Sequence, residues 1–141
     1  MKFLAAVLSV AMSFAPCASA TQSLIVFFAE GDTSRLEPIQ WRLDSEAKAV
    51  LVETYTEYLA YEATHVLVFA RDQKTGDFQM SLRRSQLRAE AVRSYLIGLG
   101  ISAEAIRTLA CGYALRSIPE QNDAIDRQAE IWLFGSLEEL Q

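Results

Sequence analysis

The sequence predicts an α/β fold, more closely an α+β sandwich: a mixed four-stranded sheet of βαβαββ order with two main helices packed on one face. Three observations carry this. Short apolar runs rich in branched and aromatic residues alternate with two long stretches of helical periodicity. Clusters of Gly, Asp and Pro separate them, and the last two strand-like runs follow each other without a helix between them.

The first strand is "SLIVFF", Ser23 to Phe28, which ends in the turn signal "AEGD". A loop with Pro38 follows. From Asp44, which can cap a first turn, Ala47, Val50, Leu51, Tyr55, Tyr58 and Leu59 recur at three- and four-residue spacing and predict a helix to about Tyr61. "THVLVFA", Thr64 to Ala70, is apolar at every position after His65, the pattern of a central strand covered on both faces. "RDQKTGD" then turns the chain, with Gly76 in the turn, and a second helix starts near Gln79 to Ser81. Ser85, Ala89, Val92, Leu96 and Leu99 form its inner stripe, and Gly100 ends it. "IRTLACG", Ile106 to Gly112, and "QAEIWLF", Gln128 to Phe134, complete the sheet, joined by a loop.

The N-terminus reads as a separate element. Lys2, the apolar run Phe3 to Ala15, and Ala18 and Ala20 flanking Ser19 have the layout of a cleavable secretory signal over residues 1–20, with the mature domain spanning 21–141. The run is too short for a membrane span, so the mature chain is expected to carry no transmembrane segment. Pro16 before Cys17 argues against lipid attachment there. A signal of this kind is expected to export the domain.

The 141-residue sequence is 51% hydrophobic and 22% charged, which suits one globular domain. Its formal charge of −5 falls to −6 when Lys2 leaves with the signal. An acidic domain does not suit nucleic acid, whose phosphates need a basic face. Only Cys111 remains after cleavage, so no internal disulfide forms and the core must suffice. His65, the only histidine, has no second histidine for a metal site or a catalytic triad and reads as a cap or core residue, and Cys111 has no histidine near it in sequence, so the domain reads as noncatalytic and free of cofactors. Glu30 and Asp32 lack the further oxygen ligands of a calcium loop. Trp41, Trp132 and the tyrosines are spaced as core.

The charged residues of Phe69 to Val92 carry the functional signal. Asp72 lies just past a central strand, where open α/β sheets gather ligand-binding groups. Arg84 and Arg88 share one face of the following helix, with Arg88 next to the inward Ala89; Arg83 and Arg93 lie further round, towards solvent. Asp72 and Arg88 together would hold a zwitterion, the carboxylate accepting from an ammonium and the guanidinium donating to a carboxylate. In that reading Arg88 binds ligand and the other arginines are surface. The alternative is that Asp72 closes the turn or pairs with Arg88 internally.

These residues resemble the OmpA-like C-terminal domain, the peptidoglycan-binding module of the OmpA, Pal and MotB family. Its pattern is a strand ending in Asp, a Gly turn, an Asn, a helix with a Leu-Ser and an Arg-Ala pair, and later a Gly-rich loop, a Pro and a last strand like "NRRVEI". Asp72, Gly76, Ser85, Arg88 with Ala89, "GLGISAEAIRTLACGY", Pro119 and "DRQAEI" follow it over nearly the whole mature chain. The resemblance implies that Asp72 holds the ammonium and Arg88 the carboxylate of diaminopimelate on a peptidoglycan stem peptide. Ser81 stands at the asparagine position, and Arg127 keeps the first arginine of the last motif as a support. The implied ligand-binding set is Asp72, Arg88, Ser81 and Arg127, with the cell wall, the outer membrane and other envelope proteins as surroundings.

Several positions depart from the pattern, beginning with Phe69, Ala70 and Arg71 where it has a Gly, an aromatic or His, and a Thr before the Asp. Arg71 is bulky and adjoins the site, Ser81 and Gln128 replace Asn and Arg, and Asp72 lies one residue further from Arg88 than the pattern has it. Either one residue is inserted before Gly76 or Gln73 takes the position; only the insertion keeps the carboxylate. A second reading retains the fold as a protein-interaction module without wall binding.

Overall fold

Alternation along the strands places the core. In the computed structural model, which describes residues 20–75, 77–114 and 123–135, β1 (Ala20–Phe27), α1 (Ser45–Ala60), β2 (His65–Ala70), α2 (Phe78–Leu99), β3 (Ile106–Ala110), a short α3 (Asp123–Asp126) and β4 (Gln128–Phe134) follow in order. The strands form one sheet in the order β1-β4-β2-β3, with β4 antiparallel to β1 and β2, and β2 parallel to β3. Each of the two parallel relations, β1 to β2 and β2 to β3, is bridged by a helix, as a crossover between parallel strands requires.

Leu24, Val26 and Phe28, then Val66, Val68 and Ala70, and Ala129, Ile131 and Leu133 all face the helices and are buried. Ala47 and Leu51 of α1 and Ala89, Val92 and Leu96 of α2 meet them. The long apolar run of β2 does not mean cover on both faces. The strand is central, but its residues alternate between buried and half-buried, and His65, Leu67 and Phe69 lie on the face without helices. Trp132 is on that face too, its indole Nε1 donating to Glu130 Oε1 at 3.1 Å, so it is not part of the helix-side core. Leu59, placed by spacing on the inner stripe of α1, is exposed, and Leu99 is half-buried. The stretch between β3 and β4, read as loop throughout, contains α3.

The helix ends obey local chemistry. Asp44 Oδ1 accepts from Ala47 N at 2.8 Å and Asp77 Oδ1 from Met80 N at 3.2 Å, each satisfying one amide that the first turn leaves free. Gly100 closes α2 at φ 129°, where a side chain is strained, and an added Cβ would stand 2.9 Å from the Tyr55 hydroxyl. Gly100→Ala is therefore expected to destabilise the domain by about 1–2 kcal/mol, and a change below a few tenths in urea denaturation would contradict this account.

Candidate functional site

The alternation that sends Ala70 inward sends Arg71 outward and Asp72 inward again. Asp72 is pinned by its backbone N donating to Gly112 O at 2.7 Å, and its side chain is 1% exposed. Across from it, α2 presents Ser81, Arg84, Ser85 and Arg88 on the buried stripe. Arg84 and Arg88, one turn apart, both reach the carboxylate. Arg84 Nη1 donates to Asp72 Oδ2 at 2.6 Å and Arg88 Nη1 to Oδ1 at 2.8 Å.

Apart from one bond to Arg71 O just past β2, the remaining guanidinium donors are met by the segment between β1 and α1. Gln40, fully buried at the end of a 3-10 turn (Pro38–Gln40), accepts from Arg84 Nε through Oε1 at 3.0 Å and from Arg88 Nε through its carbonyl at 2.7 Å. Arg84 Nη2 donates to Thr33 O and Arg35 O, and Arg88 to Arg71 O and, at 3.5 Å, to Ala29 O. The Phe28 ring lies 5.3 Å from the Arg88 guanidinium carbon. Both arginines are at most 1% exposed, and burial, followed in size by the opposing attraction of Asp72, brings the Arg88 pKa down to about 10. Arg88 stays charged at neutral pH.

One expectation changes here, and one alternative is met. Arg84 is no surface residue but an equal partner on Asp72, and Asp72 and Arg88 touch directly, the internal pairing that the sequence left open as the alternative. Asp72 is the residue on Arg88, while Gln73 turns to Arg127 Nη1, 2.5 Å from its Oε1, and to Glu30. Arg127 also donates from Nε to Phe28 O at 3.1 Å; it braces the start of β4 against β1 and makes no bond to Asp72. Ser81 is fully buried, and no hydrogen-bond partner meets its Oγ among the described residues.

Arg71 stays out of the cleft. It lies on the open sheet face, 5.0 Å from the Phe69 ring centroid, with Nη2 3.2 Å from Glu130 Oε2. Asp32 is occupied by Ser34 and Arg35 in its own loop. Cys111 is half-buried, and burial raises its pKa, which disfavours the thiolate. Gly76, Pro119 and the residues of the expected signal before Ala20 lie outside the described residues.

Sequence reasoning missed Arg84 and Gln40. Arg84 carried a signal: it precedes Ser85, where the resembling pattern has the leucine of a Leu-Ser pair. A charged residue at a position that wants an apolar one must find an internal partner. Gln40 carried none beyond its place after Pro38.

No family model and no curated protein matches the sequence. Solved structures do match. The peptidoglycan-associated lipoprotein of Burkholderia pseudomallei aligns over 78% of this chain and 89% of its own, with TM-score 0.65 and 19% identity. The OmpA-like domain of FopA1 from Francisella tularensis subsp. tularensis SCHU S4 aligns over 80% and 71%, with TM-score 0.66 and 19% identity. The periplasmic domain of Helicobacter pylori MotB aligns over 81% and 73%, with TM-score 0.62 and 13% identity. The chain thus has the fold of OmpA-like domains.

The ion cluster sets an order of stabilities. Asp72→Asn leaves two buried cations without their anion and is expected to cost about 3–5 kcal/mol. Arg84→Leu keeps one matched pair and is expected to cost clearly less. Urea denaturation of both variants checks the order, and an Asp72→Asn protein within about 1 kcal/mol of the parent would refute it.

Proposed function

We propose that this chain is a noncatalytic periplasmic domain that binds peptidoglycan. The fold it shares with a peptidoglycan-associated lipoprotein supports the class, and the position of Asp72 at the C-terminal end of β2, 2.8 Å from Arg88 on the facing helix, supports the site. Removal of residues 1–20 leaves the paired positions Gln22 to Phe27 of β1 in place, so export and folding are compatible. Among the described residues no helix is long and apolar enough to cross a membrane.

In the finer reading the guest is the amino acid end of diaminopimelate. Its ammonium takes a place on the Asp72 carboxylate and its carboxylate takes the Arg88 fork, so the guest exchanges for the direct Arg88–Asp72 bond. Entry requires the segment from Ala29 to Gln40 to lift, because it supplies the carbonyls and the Gln40 side chain that close the cluster. Ser81, buried and without a bond on Oγ, and Arg127, bracing Gln73, complete the surroundings of the site without touching Asp72.

One observation favours the second reading. Arg84 already holds Asp72 Oδ2 at 2.6 Å, the place an ammonium would take, so the chain fills its own site. In that case the domain serves as a protein-interaction module in the envelope and the cluster is structural.

Cosedimentation with isolated sacculi separates the readings, using the mature protein, Arg84→Leu and Arg88→Lys, each checked for folding by circular dichroism. Wall binding through the site predicts that the parent cosediments, Arg84→Leu does so at least as well, and Arg88→Lys, which keeps the charge but loses the fork, does not. Binding by Arg84→Leu alone identifies a self-filled site and supports the second reading. Absence of binding in both the parent and Arg84→Leu removes the peptidoglycan proposal.

A further inference from the structure

The geometry points to a second docking surface, the free edge of β1, which takes an extended segment of a partner protein that alternates apolar residues with lysine or arginine. The inference does not rest on wall binding, because no residue of the ion cluster lines this surface.

β1 borders the sheet, with β4 on one side and no strand among the described residues on the other. Its pairing fixes which backbone groups are free. Phe28 N donates to Arg127 O at 2.9 Å, so Phe28 and Arg127 form a hydrogen-bonded pair, and the unbroken register makes Val26 with Ala129 and Leu24 with Ile131 pairs of the same kind. Ile25 and Phe27, opposite Glu130 and Gln128, are then the non-bonded pairs, and their N–H and C=O groups point away from the sheet. The same two residues have exposed side chains, at 39% and 51%. Unsatisfied donors, acceptors and apolar surface therefore coincide.

Edges of this kind are usually protected by charge, proline, a bulge or short length. From Leu24 to Phe27 β1 has neither charge nor proline, and its only irregularity falls between Ala20 and Gln22. β3, the other edge, is only five residues long and presents an exposed Arg107. Beside β1 the first turns of α1 do not seal the gap. The small side chains of Ala47 and Ala49 leave a groove of about 410 Å³ between helix and strand, with Asp44 and Glu46 on its wall. This volume lies in the range of clefts that hold ligands, and a strand laid beside a sheet edge with a helix as its second wall is an established mode of peptide recognition.

Charge selects the occupant. The groove is lined by two acids and no lysine or arginine. A second copy would bring its own Asp44 and Glu46 to the same place, within a chain of net charge −5. Residues 136–141 contain Glu138 and Glu139 and follow Phe134, which pairs near Ala20 at the far end of β1. A basic, apolar strand of another protein complements the groove where these repel it.

The test uses a fluorescein-labelled peptide of about ten residues alternating valine and lysine, the span of a long strand. Fluorescence anisotropy is expected to show saturable binding to the mature protein that drops about tenfold or more in Glu46→Lys, and hydrogen exchange is expected to show new protection of the Ile25 and Phe27 amides only in the complex. A valine–glutamate peptide and a lysine peptide with methylated backbone nitrogens are expected not to bind. Equal binding of either control peptide, or an unchanged affinity in Glu46→Lys with β2 amide protection intact, overturns the proposal. So does protection of the Ile25 and Phe27 amides without peptide, whether sedimentation shows a monomer covered by its own chain or a dimer covered by a second copy.

Discussion

Asp72 stands between two buried guanidiniums, and much of this end of the domain is arranged to make that tolerable. One carboxylate against two arginines leaves a net positive charge in a site closed to water. Such a charge is stable only if every remaining donor finds an acceptor. Apart from Arg71 O, the acceptors come from the stretch between β1 and α1, which contains little regular structure of its own: Ala29, Thr33 and Arg35 each supply a backbone carbonyl, and Gln40 supplies its backbone carbonyl and its side-chain Oε1. The cluster thereby orders the connecting segment, and the segment in turn keeps the cluster dry. Gln40 is the pivot, since it accepts from Arg84 and donates to Asp32 O with one amide, while its carbonyl holds Arg88.

Most of the fold was legible because periodicity and punctuation report backbone requirements that tertiary context rarely overrides. Asp44 caps α1 and Gly100 closes α2 where the local sequence put a start and a stop, whereas α2 begins at Phe78 under an Asp77 cap, ahead of the start read near Gln79 to Ser81. β4 occupies the span read from its pattern alone. What periodicity cannot give is the number of covered faces. An apolar run in β2 looks the same whether its second face meets a helix or only neighbouring strands, and Leu67 and Phe69 turn out to be half-buried against the latter.

The site was legible in part. Spacing alone set Arg84 and Arg88 on one face and Asp72 at the strand end, yet it could not say whether opposite charges meet or leave room. Burial of a charge is decided by the partners it finds, and the partners of Arg84 lie far away in sequence, at Thr33, Arg35 and Gln40. Arg71 shows the same limit from the other side. Its neighbour Asp72 made it a candidate to fill the cleft, but strand alternation sends adjacent residues to opposite faces, and Glu130 holds it there.

Arg84 also decides what the cluster can recognise. A zwitterion is neutral overall, so a pocket complementary to it should contain one carboxylate and one guanidinium. With Arg84 present there are two cations, and an incoming ammonium meets a carboxylate oxygen already bonded and a second positive charge beside it. Burial strengthens this repulsion, since little solvent or salt reaches the site to screen it. Any guest must therefore bind a form of the domain in which Arg84 has left Asp72, and its apparent affinity falls by the fraction of time that form exists. Displacing Arg84 would also cost the bonds to Thr33, Arg35 and Gln40, so opening the pocket and releasing the segment are one event. The same residue that seals the fold at this end would thus set the threshold for the binding proposed there.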